Sequence, residues 1–268
     1  MITEDTKNDM IRLYSEGKPL SKVAEETGTT KSMVQHYLSK AGIVLRSVSD
    51  ARRVHTANDS YFTHIDTPEK AYWLGLIYAD GSVGVYGRGK GQLSFCIKAA
   101  DRCLLDTFKS DIECTNPVTE SVSNKGYSRV MLTITSSKLF ADLAAHGVVP
   151  NKTFKTCWPT LHDGLVSHFM RGYFDGDGSV GMRNKGPAYI HIDVTGYTPF
   201  IESYREELIN RCATNFVKLY KPKLSNGTSN LKYGGRLQVL RIYDFMYEGA
   251  TRWLPRKKEV FDRAFMVP

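Results

Sequence analysis

The sequence predicts an α+β chain in which two pseudo-symmetric αββαββα repeats form antiparallel sheets, preceded by a small all-α helix-turn-helix domain. Three observations carry that prediction. First, one stretch occurs twice, as Ala71-Tyr-Trp-Leu-Gly-Leu-Ile-Tyr-Ala-Asp-Gly-Ser-Val83 and as His168-Phe-Met-Arg-Gly-Tyr-Phe-Asp-Gly-Asp-Gly-Ser-Val180, with Asp80 and Asp177 97 positions apart. A repeat at that period marks two copies of one supersecondary unit. Second, the same order of helical and alternating segments follows each copy. Third, residues 8–47 carry only helical periodicity, broken by a glycine turn.

Taken in order, residues 1–47 form the first domain. Met10-Ile11-Leu13-Tyr14, Leu20-Val23-Ala24 and Met33-Val34-Tyr37-Leu38 have helical spacing, Gly28 makes the turn, and Thr29 or Thr30 caps the last helix. In a helix-turn-helix layout that helix presents Lys31, Ser32, Gln35 and His36 to a groove. Residues 48–66 lack periodicity and read as a linker, with Arg52 and Arg53 able to touch phosphate.

Residues 67–155 make the first repeat. Thr67-Pro68-Glu69 is a helix start and the helix runs to Asp80. Residues 82–86 and 92–98 alternate around Gly87-Arg-Gly-Lys-Gly91 and form a hairpin. No Gly-Lys-Ser/Thr follows that turn, so it is not a phosphate loop. A helix over 101–111, a hairpin around Ser123-Asn124-Lys125-Gly126 and a helix over 137–146 complete the unit. After a connector over 156–164, the second repeat fills 165–268. It has a motif helix over 165–177, strands over 179–182 and 188–194, and a helix over 199–212. Residues 216–220 and 237–242 are expected as a hairpin, and 243–250 as a helix. The closing Leu254-Pro-Arg-Lys-Lys-Glu-Val-Phe261 parallels Val149-Pro-Asn-Lys-Thr-Phe154.

Within each motif helix two small residues stand four apart, Gly75 with Ala79 and Gly172 with Gly176, and therefore share one face. Small residues at that spacing let two backbones touch, so each copy is the other's natural partner. Asp80 and Asp177 then sit side by side at helix C-termini, where the dipoles are also negative. A hard divalent cation relieves such a pair.

These stretches resemble the two motifs of the single-chain LAGLIDADG homing endonucleases. The likeness runs through Leu74-Gly75-Leu76-Ile77-Tyr78-Ala79-Asp80-Gly81 and, less closely, Gly172-Tyr173-Phe174-Asp175-Gly176-Asp177-Gly178. Tyr78 replaces the family's usual first acid, and Tyr173-Phe174 replace Leu-Ile. The resemblance implies a double-strand DNA endonuclease in which Asp80 and Asp177, with the carbonyls of Ala79 and Gly176, hold Mg²⁺ or Mn²⁺. It also implies a lysine near each site. By position these are Lys152 and Lys257, the latter ambiguous with Lys258; Lys98 is a further candidate, with Thr195 as its rough counterpart. The free faces of the two sheets then form a saddle for the major groove. Arg88, Lys90, Gln92, Arg183, Lys185 and Arg236 are its candidate base or phosphate contacts. The helix-turn-helix resembles those of resolvases and phage regulators.

Composition narrows the alternatives. Net charge is +8, while residues 1–50 carry seven basic and seven acidic side chains, so the excess belongs to the repeats. From Lys218 to Lys258 ten basic residues face two acidic ones, which fits a polyanionic partner. The five cysteines form no Cys-x-x-Cys pair, and the histidines lack metal-ligand spacing. Asp175-Gly-Asp-Gly-Ser179 brushes the calcium-loop pattern but has Val180 where that loop needs glycine. With no membrane-length apolar run and no leader pattern at the start, the expectation is a soluble intracellular monomer acting on double-stranded DNA, without a protein partner and of phage or mobile-element type. A non-cleaving regulator on the same scaffold, or an RNA-splicing maturase, is the alternative.

Overall fold

The computed structural model describes residues 2–45, 54–87, 89–183, 189–222 and 227–265. The chain divides into two compact units, Met1–His55 and Thr56–Pro268.

The first unit has three helices, α1 (Glu4–Ser15), α2 (Leu20–Glu26) and α3 (Lys31–Lys40). Thr3 caps α1 by accepting from the Thr6 amide, and Thr30 caps α3 by accepting from the Met33 amide. Gly28, at φ +62°, makes the intervening turn in a conformation that a Cβ disfavours. Met10, Leu13, Val23, Val34 and Leu38 close a small core of their own.

In the second unit, α4 (Pro68–Asp80) starts at the predicted cap, with Thr67 accepting from the Lys70 amide. All its residues from Ala71 to Tyr78 are buried, the signature of a helix surrounded by protein. Four strands follow: β1 (Gly81–Tyr86), β2 (Lys90–Lys98), β3 (Thr119–Val122) and β4 (Ser128–Thr135), in the antiparallel order β1-β2-β4-β3. Helices α5 (Arg102–Asp111) and α6 (Ser137–Ala145) are interleaved with them. Leu93, Phe95 and Ile97 of β2, with Val130, Leu132 and Ile134 of β4, are buried, whereas the alternate residues are open.

The second repeat has α7 (Val166–Asp177), β5 (Gly178–Arg183), β6 (Tyr189–Tyr197) and α8 (Thr198–Cys212). They are followed by β7 (Thr228–Gly234), α9 (Arg236–Tyr247) and α10 (Pro255–Phe265). Its sheet has the order β5-β6-β7.

Two expectations are corrected. Residues 237–242 are helical: Val239, Ile242 and Met246, spaced three and four apart, are buried positions of α9, with Tyr247 beside them. The strand lies earlier, in β7, where Ser229, Leu231 and Tyr233 alternate inward, and residues 216–220 meet it through the single bridge Tyr220 to Asn230. The second half of the expected linker is also packed. Thr56 and Asn58 bond to Thr115 and Ile112, and Phe62 is fully buried against Phe108.

Helices α4 and α7 meet through their glycines. A Cβ on Gly75 would press into the Phe169 carbonyl and lie 2.8 Å from the Tyr173 nitrogen; one on Gly172 would strike the Tyr72 carbonyl and lie 2.9 Å from the Leu76 nitrogen. Main chain therefore rests on main chain. The end of repeat two also clasps repeat one. Arg252 makes a bidentate pair with Asp111 at 2.7 Å, Arg256 grips Asp101 at 2.8 Å, and Thr251 donates to Glu69.

Candidate active site at the paired helix ends

Because α4 and α7 touch along their small-residue faces, their last residues arrive together. A Cβ on Gly176 would lie 3.3 Å from Oδ2 of Asp80, so the end of one motif abuts the carboxylate of the other. Asp80 and Asp177 both keep an open edge to solvent, and neither makes an ion pair among the described residues. Burial against the helix ends raises the Asp177 carboxyl to about 6, with the Asp80 charge as the next cause and Lys152 opposing. Asp80 is raised too, by burial, against the pull of Lys257 and Lys152. Two carboxylates are thus held where ionising both is unfavourable.

Each helix ends on a lysine. Lys152 donates to the carbonyls of Ala79 (3.2 Å) and Gly81 (2.6 Å). Lys257 donates to those of Phe174 (2.6 Å), Asp175 (2.7 Å) and Gly178 (2.5 Å). The final carbonyls of a helix lack intrahelical partners and carry the negative end of its dipole, so an ammonium satisfies both. Burial lowers the pKa of both lysines, that of Lys257 to about 8. Lys258 instead pairs with Asp262 at 2.8 Å and bonds to no helix end.

Lys98 is exposed in β2, three residues past Phe95, the partner of Gly81. The charges that act most on Asp80 are those of Lys257, Lys152, Asp101 and Arg256. The register makes Tyr197, not Thr195, the counterpart of Lys98, because Phe95 faces Gly81 as Val194 faces Gly178.

Behind α7 lies a buried network that motif reasoning missed. Asp175, 2% exposed, accepts from the Tyr72 hydroxyl (2.8 Å) and the Leu254 amide (2.7 Å), joining both motif helices to the chain ahead of α10. Arg171, fully buried, donates to the carbonyls of Met246 and Arg252 and meets His168 Nδ1 at 2.9 Å. Burial and the Arg171 charge push His168 down to about 4, so the ring is neutral. The signal was present in an arginine, a histidine and an acid inside an otherwise apolar run.

On the open sheet faces, Lys90 starts β2 opposite Tyr86, and Gln92 reaches Thr135 at 3.4 Å. Arg88, Lys185 and the Arg183 side chain lie outside the described residues. Arg236 does not belong to a sheet: it opens α9, donates to the Ala264 carbonyl and stacks over Phe265. Alternation in β6 and β7 places Tyr189, His191, Asp193 and Lys232 on the open face, none of which was singled out from the sequence. In the first unit Lys31, Ser32, Gln35 and His36 are all exposed along α3, while Val34 and Leu38 are buried. The lysines and arginine of α1 and α2, and Lys18 between them, pair with local acids. Among the described residues of this unit, Lys31 and Lys40 of α3 have no such ion pair.

No protein-family model matches the sequence, and no curated protein does. Solved structures do. A lysine-to-alanine mutant of I-SmaMI matches with a TM-score of 0.53 at 15% identity, over 75% of this chain and 92% of that one. Meganuclease I-SmaMI bound to uncleavable DNA matches with a TM-score of 0.51 at 13% identity, over 73% and 90%. I-SmaMI bound to an uncleaved DNA target in the presence of calcium ions matches with a TM-score of 0.51 at 14% identity, over 75% and 91%. I-SmaMI is described as a LAGLIDADG homing endonuclease. The likeness establishes the fold. No helix among the described residues is long and apolar enough to cross a membrane.

Proposed function

We propose that this chain is a homing endonuclease of the LAGLIDADG kind, making metal-dependent double-strand breaks at a long DNA site. One observation carries the reading. Glycine-to-backbone contact between α4 and α7 brings Asp80 and Asp177 together at two helix ends, each end held by a lysine. Among the described residues neither acid is in a direct ion pair; Lys152 and Lys257 act on both through space while their protons go to main-chain carbonyls.

The donor set fits a hard divalent ion. No cluster of three His, Cys, Asp or Glu side chains exists among the described residues, so the site offers two carboxylates and the Gly176 carbonyl, while the Ala79 carbonyl, the other expected ligand, already accepts from Lys152 at 3.2 Å. Mg²⁺ and Mn²⁺ accept such oxygen ligands and keep several waters. When bound, the ion supplies charge stabilisation at the phosphate and a more acidic water. The protein's own residues do the rest. Asp80 and Asp177 would hold the ion and, being open to solvent, leave room for a phosphate. Lys152, donating to two carbonyls, keeps a third N–H to support charge on a phosphate oxygen. Lys257, with all three protons donated, fixes the α7–β5 junction and hence the position of Asp177.

The open faces of the two sheets supply the DNA surface, and α3 of the first unit adds an exposed cationic helix for a groove. Because one chain carries both acids, it acts as a monomer. I-SmaMI has been held on uncleaved DNA with calcium, which supports the choice of Ca²⁺ as the non-cleaving control.

The test is cleavage of fragmented genomic DNA in Mg²⁺, with ends mapped by sequencing, beside Asp80→Asn, Asp177→Asn and a Ca²⁺ reaction. Discrete double-strand ends found only with wild type in Mg²⁺ are expected. Intact DNA together with retention of particular fragments would replace this reading with that of a non-cleaving regulator.

A further inference from the structure

The two sheets present different chemistry at one symmetry-related position. In the first sheet Ser82, Ser94 and Thr133 lie side by side across β1, β2 and β4, with Ser94 and Thr133 hydroxyls 3.2 Å apart. At the same register in the second sheet stand Ser179, Asp193 and Lys232. Hydroxyls on one side thus face a carboxylate and an ammonium on the other.

Asp193 is on the open face, since its neighbours Ile192 and Val194 are buried towards the helices. Among the described residues it is the only acid at an open-face position of either sheet's register, because Glu120 pairs with inward-facing Val130. Its side chain is 19% exposed, between Lys232 Nζ at 3.5 Å and His191 Nε2 at 3.8 Å. Both separations are longer than a hydrogen bond, so the carboxylate is neutralised without being saturated.

An acid on a surface that meets DNA is repelled by every phosphate and gains only where a base offers a donor. In the major groove those donors are the N4 amine of cytosine and the N6 amine of adenine, whereas lysine suits guanine O6 and N7. A carboxylate beside an ammonium therefore complements the two edges of one G·C pair. Resting on the nuclease reading only for the assumption that the sheets face DNA, we propose that Asp193 and Lys232 together read one G·C pair, Asp193 taking cytosine N4 and Lys232 taking guanine. Ser179, opposite Asp193, is two residues past Asp177, about 7 Å along a strand. The pair therefore lies within the first few base pairs from the centre, in the half-site of repeat two alone. The hydroxyl trio of repeat one imposes no such demand.

The experiment is binding-site selection by the full chain from randomised duplexes in EDTA, so that binding is read apart from cleavage. Wild type should enrich a site with one near-central G·C pair in one half. Asp193→Asn and Lys232→Met should each relax that position by about five- to a hundredfold in base preference, and leave the others unchanged. Asp193→Ser, which copies the repeat-one residue, should make that position as tolerant as its mirror. Thermal melts check that each variant folds. An unchanged preference in folded Asp193→Asn and Asp193→Ser, or a uniform gain in affinity for all sequences, would overturn the assignment. A wild type that selects a site yet cuts nothing would count against the nuclease reading while leaving this one intact; one that selects no site overturns this inference itself.

Discussion

The two ends of the motif helices are built from one repeated stretch and finish in different states. Lys257 is 3% exposed and gives all three ammonium protons to carbonyls, whereas Lys152 is half-buried and gives two. Two residues before each acid, repeat one has Tyr78, whose hydroxyl donates to the His146 carbonyl at 2.5 Å, and repeat two has the buried Asp175. Sequence symmetry sets where the groups go; the surroundings set how many bonds each has left. A lysine with no free proton acts as a rivet, and one with a free proton can also meet a ligand.

The largest effect should come from the feature both halves share. Gly172→Ala places a methyl against the Tyr72 carbonyl with only backbone to yield, and should cost about 3 kcal/mol or more, read as a fall in thermal midpoint. A small loss would mean that the helices are not in main-chain contact.

The next test separates the lysines. Lys257→Met leaves three carbonyls at a buried helix end without their donor and should cost roughly 3 kcal/mol, whereas Lys152→Met should cost nearer 1 kcal/mol. Cleavage should report the opposite emphasis: Lys152→Met should cut slowly while remaining folded, at midpoints where Lys257→Met is already melting. Equal effects on both readouts would dissolve the distinction.

A third test uses pH. Asp175 and Asp177 have carboxyls raised to about 6, against about 4 in an unfolded chain. Between those values the folded state holds more protons than the unfolded state, so stability falls as pH rises from about 4 to 6. Asp177→Asn should flatten that slope in melts taken across pH 4–7, and raise the midpoint at pH 7. An unchanged slope would remove carboxylate crowding as its cause. The smallest effect follows from the same crowding: Mg²⁺ should raise the wild-type midpoint by a degree or two and leave that of Asp80→Asn where it was.

Much of this is legible in the sequence. The paired glycines, Asp80 and Asp177, and the hairpins of repeat one follow from spacing, because helix contact and strand alternation leave period-specific marks. Arg236 was misread for a physical reason: a short apolar run such as Leu237-Gln-Val-Leu-Arg-Ile satisfies both periods, and only the buried Met246, four residues past Ile242, decides for a helix. Lys257 and Lys258 are equivalent in sequence and are told apart by the face of α10 on which each falls. The Asp175, Arg171 and His168 network was hidden because its partners, Leu254, Arg252 and Met246, lie far along the chain.

That clasp between chain end and first repeat also has a temporal meaning. Glu69, Asp111 and Asp101 meet Thr251, Arg252 and Arg256 across separations of 182, 141 and 155 residues. Domains of a growing chain fold from the N-terminal side as they emerge. The first repeat must therefore wait for residues 251–256 to emerge before its acids are matched, and the rivet at the α7 end, Lys257, comes with them. A chain that stops short of residue 251 therefore lacks both this clasp and the lysine that holds the α7 end.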